Sequence, residues 1–120
     1  MKYKLVNDYI DEIKDMLKDG LIATSIFNQD GEIIAEYNLS SQSTLACNSI
    51  TNYILKKFRD HNLSNIDKYM IFSLEDDKIL IIIPLYNHRW MILIDNNIIK
   101  LGILLNRVIP EIREKFKKIL

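Results

Sequence analysis

The residues of this 120-residue chain best suited to metal or nucleophilic chemistry are two histidines and one cysteine. His61 and His88 are far apart in the sequence and have no carboxylate or cysteine at the spacing of a zinc site. The single cysteine, Cys47, excludes an intrachain disulfide and a thiolate metal cage. It falls on an apolar stripe of a predicted helix, where cysteine more often serves as a small buried hydrophobic residue than as a nucleophile. These residues predict neither a metal centre nor an active site.

Acidic residues and glycines offer two further kinds of site, a cation site and a phosphate cradle. Glu75, Asp76 and Asp77 carry oxygen ligands that a cation would accept, but an acidic run between two apolar runs is more typical of a hairpin turn. Asp30 precedes Gly31, and Asp-Gly between apolar runs is also a hairpin signal. The chain has no Gly-Lys-Ser/Thr loop and no G-x-G-x-x-G pattern. We therefore expect a non-catalytic protein without a cofactor or metal.

The composition predicts one domain spanning residues 1–120, because 48% of the residues are hydrophobic and can form one core. The 16 basic and 16 acidic residues cancel, whereas nucleic-acid-binding proteins normally carry a basic excess. Charged and amide residues interrupt the apolar region 79–105 before about 20 apolar residues accumulate, so we expect no membrane insertion. The charged N-terminal segment does not resemble a signal peptide. Together with the single cysteine, this favours a cytoplasmic protein.

Hydrophobic periodicity predicts the order helix, two strands, helix, three strands, helix. This order is typical of an α/β (α+β) domain with a five-stranded antiparallel sheet and helices on both faces. The predicted ranges are a helix over 5–17 ended by Gly20, strands Leu21–Asn28 and Glu32–Tyr37, a helix from the caps in "NLSSQST" to Asp60, strands Lys68–Leu74, Ile79–Leu85 and Trp90–Ile94, and a last helix to Lys118.

The last helix should be capped by Asp95 or Asn96 and kinked or restarted at Pro110. Gly102 falls at the edge of its apolar stripe, where a missing Cβ would let the helix approach the sheet closely. We therefore expect Gly102→Leu to destabilise the fold by overpacking. Ile103 and Leu104 fall off the stripe and are candidates for a contact beyond the core. The stripe consists of Ile98, Leu101, Leu105, Val108, Ile109, Ile112 and Phe116.

The second helix carries two stripes on opposite sides. The apolar one, expected to face the core, consists of Ala46, Cys47, Ile50, Tyr53, Ile54 and Phe58. The other mixes leucines with hydrogen-bonding side chains and consists of Leu45, Asn48, Asn52, Leu55 and Arg59. This second stripe suits a surface that meets a partner, and the alternative is an ordinary solvated face with two leucines.

The strand Lys68–Leu74 is predicted to lie at an edge of the sheet. It has no charged residue between Lys68 and Glu75 to discourage a pairing strand, and Tyr69, Ile71 and Ser73 share one of its faces. We expect these three residues, together with the mixed stripe, to contribute to a dimer or partner interface.

The element order, the "NQDGEIIA" hairpin and the ending "WMILIDNNIIKLGILLNRVIPEI" resemble the Roadblock (dynein light-chain type) family from about Leu5 to Ile112. One departure is Lys100, which stands where members of the family often have asparagine before a Leu-Gly pair. The resemblance implies a homodimer in which second helices pair and third strands meet edge to edge. It also implies a regulator or scaffold that binds Ras-like small GTPases without supplying the chemistry itself.

Two other functions are compatible with the sequence. The first is a small-molecule sensor domain of the PAS or profilin-like type, with a ligand pocket between the sheet and a helix lined by Trp90, Tyr53 and Phe58. The second is a small enzyme that uses His61 or His88.

Overall fold

The structure is a computed structural model that describes residues 2–38 and 41–120. Leu39 and Ser40, at the start of the predicted cap segment, lie outside the described residues. Among the described helices, none is long and apolar enough to cross a membrane.

The observed elements follow the predicted order, and their bounds are close to the predicted ones. The strands form one sheet in the order β2-β1-β5-β4-β3, and every pair of neighbours is antiparallel. The elements are α1 (Lys2–Leu17), a 3-10 turn (Lys18–Gly20), β1 (Leu21–Asn28), β2 (Ile33–Tyr37), α2 (Ser41–Asp60), β3 (Met70–Leu74), β4 (Lys78–Leu85), β5 (His88–Asp95), α3 (Leu101–Ile103), a π-helical segment (Leu104–Val108) and α4 (Ile109–Ile119).

One face of the sheet packs against α1 and α4 around a large apolar core. Trp90 is fully buried there, and its ring meets Phe116 edge to face with 5.3 Å between the ring centroids. The Trp90 indole Nε1 donates to Oγ1 of Thr24 at 2.9 Å, and that hydroxyl donates to the Met91 carbonyl at 2.7 Å. The one polar atom of the indole is thereby satisfied inside the core, as burial of a tryptophan requires.

The opposite face of the sheet carries α2 over a smaller apolar cluster. That cluster contains Cys47 of α2 and four sheet residues, namely Ala23, Phe27, Ile82 and Met91. Successive residues of β4 point to the two faces in turn, so Ile81 and Ile83 join the large core while Ile82 joins the small one. The prediction that this strand is covered on both faces is confirmed.

The edge strand β3 begins at Met70 and not at Lys68 as predicted. Met70 pairs with Ile82, so continuing the same register would place Lys68 opposite Pro84. Proline has no N–H to donate to the ladder, and it is therefore found where a neighbouring strand is absent. Pairing stops before Pro84, and the flank of β4 is left without a strand there.

The hairpin turns use residues with positive φ. Gly31 has φ +86° in the turn between β1 and β2, as the Asp30-Gly31 pair predicted. Asp76 and Asp77 have φ of +60° and +57° between β3 and β4, which confirms turn chemistry for the acidic run. Tyr86, between β4 and β5, has φ +59° although it is a bulky residue without local compensation of the Asn or Asp kind.

The start of the last helix differs from the prediction. Asp95 accepts a hydrogen bond from the Asn97 amide and stabilises a short turn over 95–99, while the helix itself begins at Leu101. Ile98 is consequently exposed and does not belong to the stripe, whereas Leu104 is fully buried and belongs to it. The expected irregularity at Pro110 is a π-helical segment directly before α4, since proline cannot donate to the preceding turn.

The packing role predicted for Gly102 is wrong. Gly102 is exposed, and a Cβ added to it would meet no atom within 4 Å. The close approach occurs instead at Gly20, which is buried and where an added Cβ would overlap the Ile99 side chain. The turn over 95–99 presses Ile99 against the end of α1, so the glycine that ends the first helix also makes room for the start of the last.

Candidate interaction surfaces

The buried face of α2 lies between the two predicted stripes, and it takes Cys47 from the stripe predicted for the core and Asn48 from the stripe predicted for a partner. Ile50 and Tyr53, expected in the core, are 44% and 62% exposed. The face that meets the sheet carries Thr44, Cys47, Asn48 and Thr51. Apolar residues that point to solvent from a helix whose polar residues point inward are typical of a surface covered by another molecule.

Hydrogen bonds make this polar inner face of α2 possible. Thr51 Oγ1 donates to the Cys47 carbonyl at 2.7 Å, and Asn48 Nδ2 donates to the Gln29 carbonyl at 2.9 Å. Buried polar groups cost stability unless they are paired, and these groups are paired within the chain. The periodicity of α2 did not predict this inner face, because Thr44 and Thr51 belong to neither of the two predicted stripes.

The sheet face beside α2 is only partly covered. Phe72, Leu80 and Leu93 stand in one row across β3, β4 and β5 and remain half-buried. In the next row on this face, towards the turn between β4 and β5, Ile82 and Met91 are buried. Half-buried apolar side chains next to exposed apolar helix residues give this side of the molecule an apolar surface that its own chain does not close.

The edge strand β3 carries the other predicted interface residues. Ile71 is 40% exposed and Ser73 is exposed, while Tyr69 precedes the strand and is half-buried against the large core. Because β3 is the last strand in the sheet order, its outer backbone groups have no partner strand within the described chain. Such an edge accepts an additional strand.

Asn48 connects α2 to a buried arginine that the sequence analysis did not single out. Arg89 of β5 is 6% exposed, and its Nη1 donates to Asn48 Oδ1 at 2.6 Å. Burial lowers the pKa of the Arg89 guanidinium, although an arginine remains protonated in proteins. In the sequence Arg89 directly precedes the apolar run Trp90–Ile94. That position gives no signal that its side chain points under α2.

The comparison with known proteins bears on the fold. No family model and no curated protein sequence matches this chain. MglB of Myxococcus xanthus superposes with a TM-score of 0.84 at 10% identity over 98% of this chain and 88% of that one. A Roadblock/LC7 domain from Streptomyces avermitilis superposes with a TM-score of 0.65 at 8% identity, over 88% and 91%.

This chain has a Roadblock-type fold. The same architecture extends to LokiProfilin1, crystallised in complex with rabbit actin, which superposes with a TM-score of 0.62 at 16% identity over 100% of this chain and 98% of that one. The predicted fold class, Roadblock or profilin-like, is confirmed.

Within the Roadblock-type fold, the stripe predicted to meet a partner lies along the side of α2 that faces the β1–β2 turn. Leu45 is 51% exposed near Gly31, Asn48 is buried, and Leu55 is half-buried. Asn52 and Arg59 are exposed, and Asn52 Nδ2 lies 3.4 Å from the same Gln29 carbonyl that Asn48 contacts. The stripe is therefore continuous along α2, and one of its residues, Asn48, is buried against the sheet.

The sensor pocket predicted from Trp90, Tyr53 and Phe58 is wrong. Trp90 is buried on the α1/α4 face of the sheet, whereas Tyr53 is exposed on α2 across the sheet, so the two side chains cannot line one cavity.

The two histidines lie in different parts of the chain. His61 directly follows α2 and is exposed, and His88 lines a shallow depression with Asn28, Gln29 and Asp30 that does not include His61.

Proposed function

We propose that this chain is a non-catalytic, dimeric regulator or scaffold in the cytoplasm that binds a Ras-like small GTPase. The observation that carries the proposal is the orientation of α2, which turns Ile50 and Tyr53 to solvent on the side of the sheet where apolar residues stay half-buried. The single Cys47, which is free and buried, agrees with an intracellular setting.

The proposed dimer is supported by two surfaces that no described segment of the chain covers. A second copy would bury the outward stripe of α2 together with the row of Phe72, Leu80 and Leu93. Its own β3 would supply the strand that the exposed β3 edge can accept, so that the sheet would continue across both copies. The same arrangement is implied by the sequence resemblance to the Roadblock family, and a solved MglB structure is described as tetrameric.

The proposed GTPase partner is supported by the resemblance and by a part of α2 that the proposed dimer would leave exposed. Pairing through Ile50 and Tyr53 leaves the stripe of Leu45, Asn52 and Arg59 accessible on another side of α2. A leucine among exposed hydrogen-bonding and cationic side chains has the mixed character of a transient protein interface. The Roadblock family commonly binds Ras-like GTPases, and the Roadblock-type fold of this chain supports the same class of partner.

One pair of variants separates the two parts of the proposal. Ile50 and Leu45 are aliphatic residues of the same helix with similar exposure, 44% and 51%. In light scattering after size exclusion, we expect a dimer for the native chain and for Leu45→Asp, and a monomer for Ile50→Asp. A native chain that runs as a monomer at micromolar concentration contradicts the dimer.

The partner is tested with the Ras-like GTPases of the source organism, each loaded with GDP or a non-hydrolysable GTP analogue. We expect at least one to be retained by the native chain and lost on Leu45→Asp. Actin is included because a protein of this fold was crystallised with it. Retention of actin without any GTPase, or of neither, contradicts the GTPase proposal.

A further inference from the structure

An open cleft of about 550 Å³ lies beside the C-terminal half of α2. It exists because β3 stops opposite Ile82, leaving the Pro84 flank of β4 without a strand. Ile66, from the segment between α2 and β3, forms one wall, and Tyr86 of the β4–β5 turn stands at one side. A narrower recess of about 90 Å³ continues from it under α2 and is also lined by Arg89.

Arg89 is more than nine-tenths buried and has no acidic partner. Its guanidinium donates to the neutral amide of Asn48. No described Asp or Glu forms a salt bridge with it at 4.0 Å or less, and neither cavity is lined by an acidic residue. A buried charge without a counter-charge costs stability. An anion that enters the recess would supply the missing counter-charge.

Two further cations line the same cleft. Lys56 and Arg59 stand on α2, and Lys56 also contacts the exposed Asp60 carboxylate at 3.3 Å. Asn52 and Asn65 add amide N–H donors. Among the described residues lining the cleft, three are cationic and none is acidic, although the whole chain has a formal net charge of zero. This local excess of positive charge suits a doubly charged anion better than a single carboxylate.

The backbone conformation of Tyr86, which lines the same cleft, also indicates a ligand site. This residue is 74% exposed and holds φ +59° in the tight turn between β4 and β5. Asparagine, aspartate or glycine would adopt this conformation with less strain. Backbone strain of this kind clusters at ligand sites, where the local structure maintains it. The aromatic ring offers an apolar contact for whatever is attached to the anion.

We propose that this cleft binds a phosphate group, with the Arg89 guanidinium at its floor and Lys56 and Arg59 at its rim. Arginine presents N–H donors in a planar fork that matches phosphate oxygens. The open mouth admits a phosphate that is attached to a larger molecule. The source is either a low-molecular-weight phosphate ester or a phosphorylated side chain of a bound protein. The cleft shares Asn52 and Arg59 with the stripe proposed to meet the GTPase, but phosphate binding is measured on this chain alone and does not rest on the proposed dimer or GTPase.

Calorimetric titration of the native chain tests the site with four probes: inorganic phosphate, AMP, a phosphoserine peptide and its unphosphorylated counterpart. We expect saturable binding of the three probes that contain phosphate and no binding of the unphosphorylated peptide. Tighter binding of AMP than of the phosphopeptide assigns the site to small esters, and the reverse assigns it to a phosphorylated protein. Absence of saturable binding to all three overturns the proposal.

Variants locate the binding. Arg59→Gln and Lys56→Gln alter exposed side chains, so the fold is retained, and each should weaken phosphate binding about 2- to 5-fold. Arg89→Lys keeps the charge but loses the fork, and we expect a loss of about tenfold or more provided that circular dichroism shows a native fold. Arg107→Gln removes an exposed cation of the π-helical segment, which lies outside the cleft, and serves as the control. Equal losses for Arg107→Gln and Arg59→Gln would show that phosphate binds by unspecific charge and overturn the assignment.

Discussion

The Nη1 atom of Arg89 donates a hydrogen bond of 2.6 Å to the side-chain oxygen of Asn48, which lies 41 positions earlier in the chain. The amide nitrogen of the same Asn48 donates to the Gln29 carbonyl at 2.9 Å. One asparagine therefore joins helix α2, the β1–β2 turn and a buried cation of β5. This connection is the centre of the polar layer between α2 and the sheet.

Asn48→Ala should lower the free energy of unfolding by about 1–3 kcal/mol, because it leaves part of the buried Arg89 guanidinium without its partner and removes one of the two amide donors to the Gln29 carbonyl. Asn52→Ala is the matched control, since Asn52 is exposed and lies 3.4 Å from the same Gln29 carbonyl. We expect its effect to stay within about 0.5 kcal/mol. Urea denaturation of both variants measures the difference, and equal losses would contradict the role of Asn48.

The orientation of α2 illustrates what periodicity can and cannot predict. The strands were predicted within a few residues because alternating and continuous apolar runs reflect burial directly. The buried face of α2 was not predicted, because it lies between the two stripes and takes Cys47 from one and Asn48 from the other. Hydrophobicity alone would place Ile50 and Tyr53 inside, whereas the inner face carries Asn48 and Thr51, whose polar groups are paired by hydrogen bonds.

Arg89 and the glycines show the same limit at the level of single residues. The partner of Arg89 is brought to it by the fold and not by sequence proximity. The length of the turn over 95–99 decides where the last helix begins, and with it which glycine lies in a close contact. Neither the partner of Arg89 nor the length of this turn can be predicted from a local sequence pattern, because both depend on contacts between distant segments.

Two glycine variants should change stability in opposite directions. Gly20→Ala should destabilise the fold by about 1–3 kcal/mol, since the new methyl group would overlap Ile99. Gly102→Ala should leave stability unchanged or raise it by up to about 1 kcal/mol, because Gly102 lies exposed in a helix with open space around it. Thermal unfolding compares the two, and a lower melting temperature for Gly102→Ala would restore a packing role for that glycine.

Tyr86 and Asn62 form a reciprocal pair for measuring backbone strain. Both are exposed and have φ of +59°, but tyrosine adopts this conformation with more strain than asparagine does. Tyr86→Asn should therefore raise the free energy of unfolding by up to about 1 kcal/mol, and Asn62→Tyr should lower it by a similar amount. Denaturant titration provides both values. A loss of stability on Tyr86→Asn would show that the aromatic ring stabilises the fold by more than the strain costs.

Cys47 should report on the attachment of α2 to the sheet. The thiol is buried against Ala23, Phe27, Ile82 and Met91, and burial raises its pKa. The attacking species is the thiolate, so a disulfide reagent such as dithionitrobenzoate should react slowly with the native chain and fast after unfolding in urea.

The raised pKa of Cys47 also sets the direction of a pH effect. Above the ordinary thiol range the unfolded chain loses the Cys47 proton while the folded chain keeps it, so this group lowers the stability as the pH rises through that range. Cys47→Ala should remove that part of the pH dependence, while costing some stability through the lost side-chain volume.

In the labelling experiment, fast and stoichiometric reaction of Cys47 in the native chain near neutral pH would contradict a closed interface between α2 and the sheet. Under those conditions α2 would detach from the sheet without global unfolding.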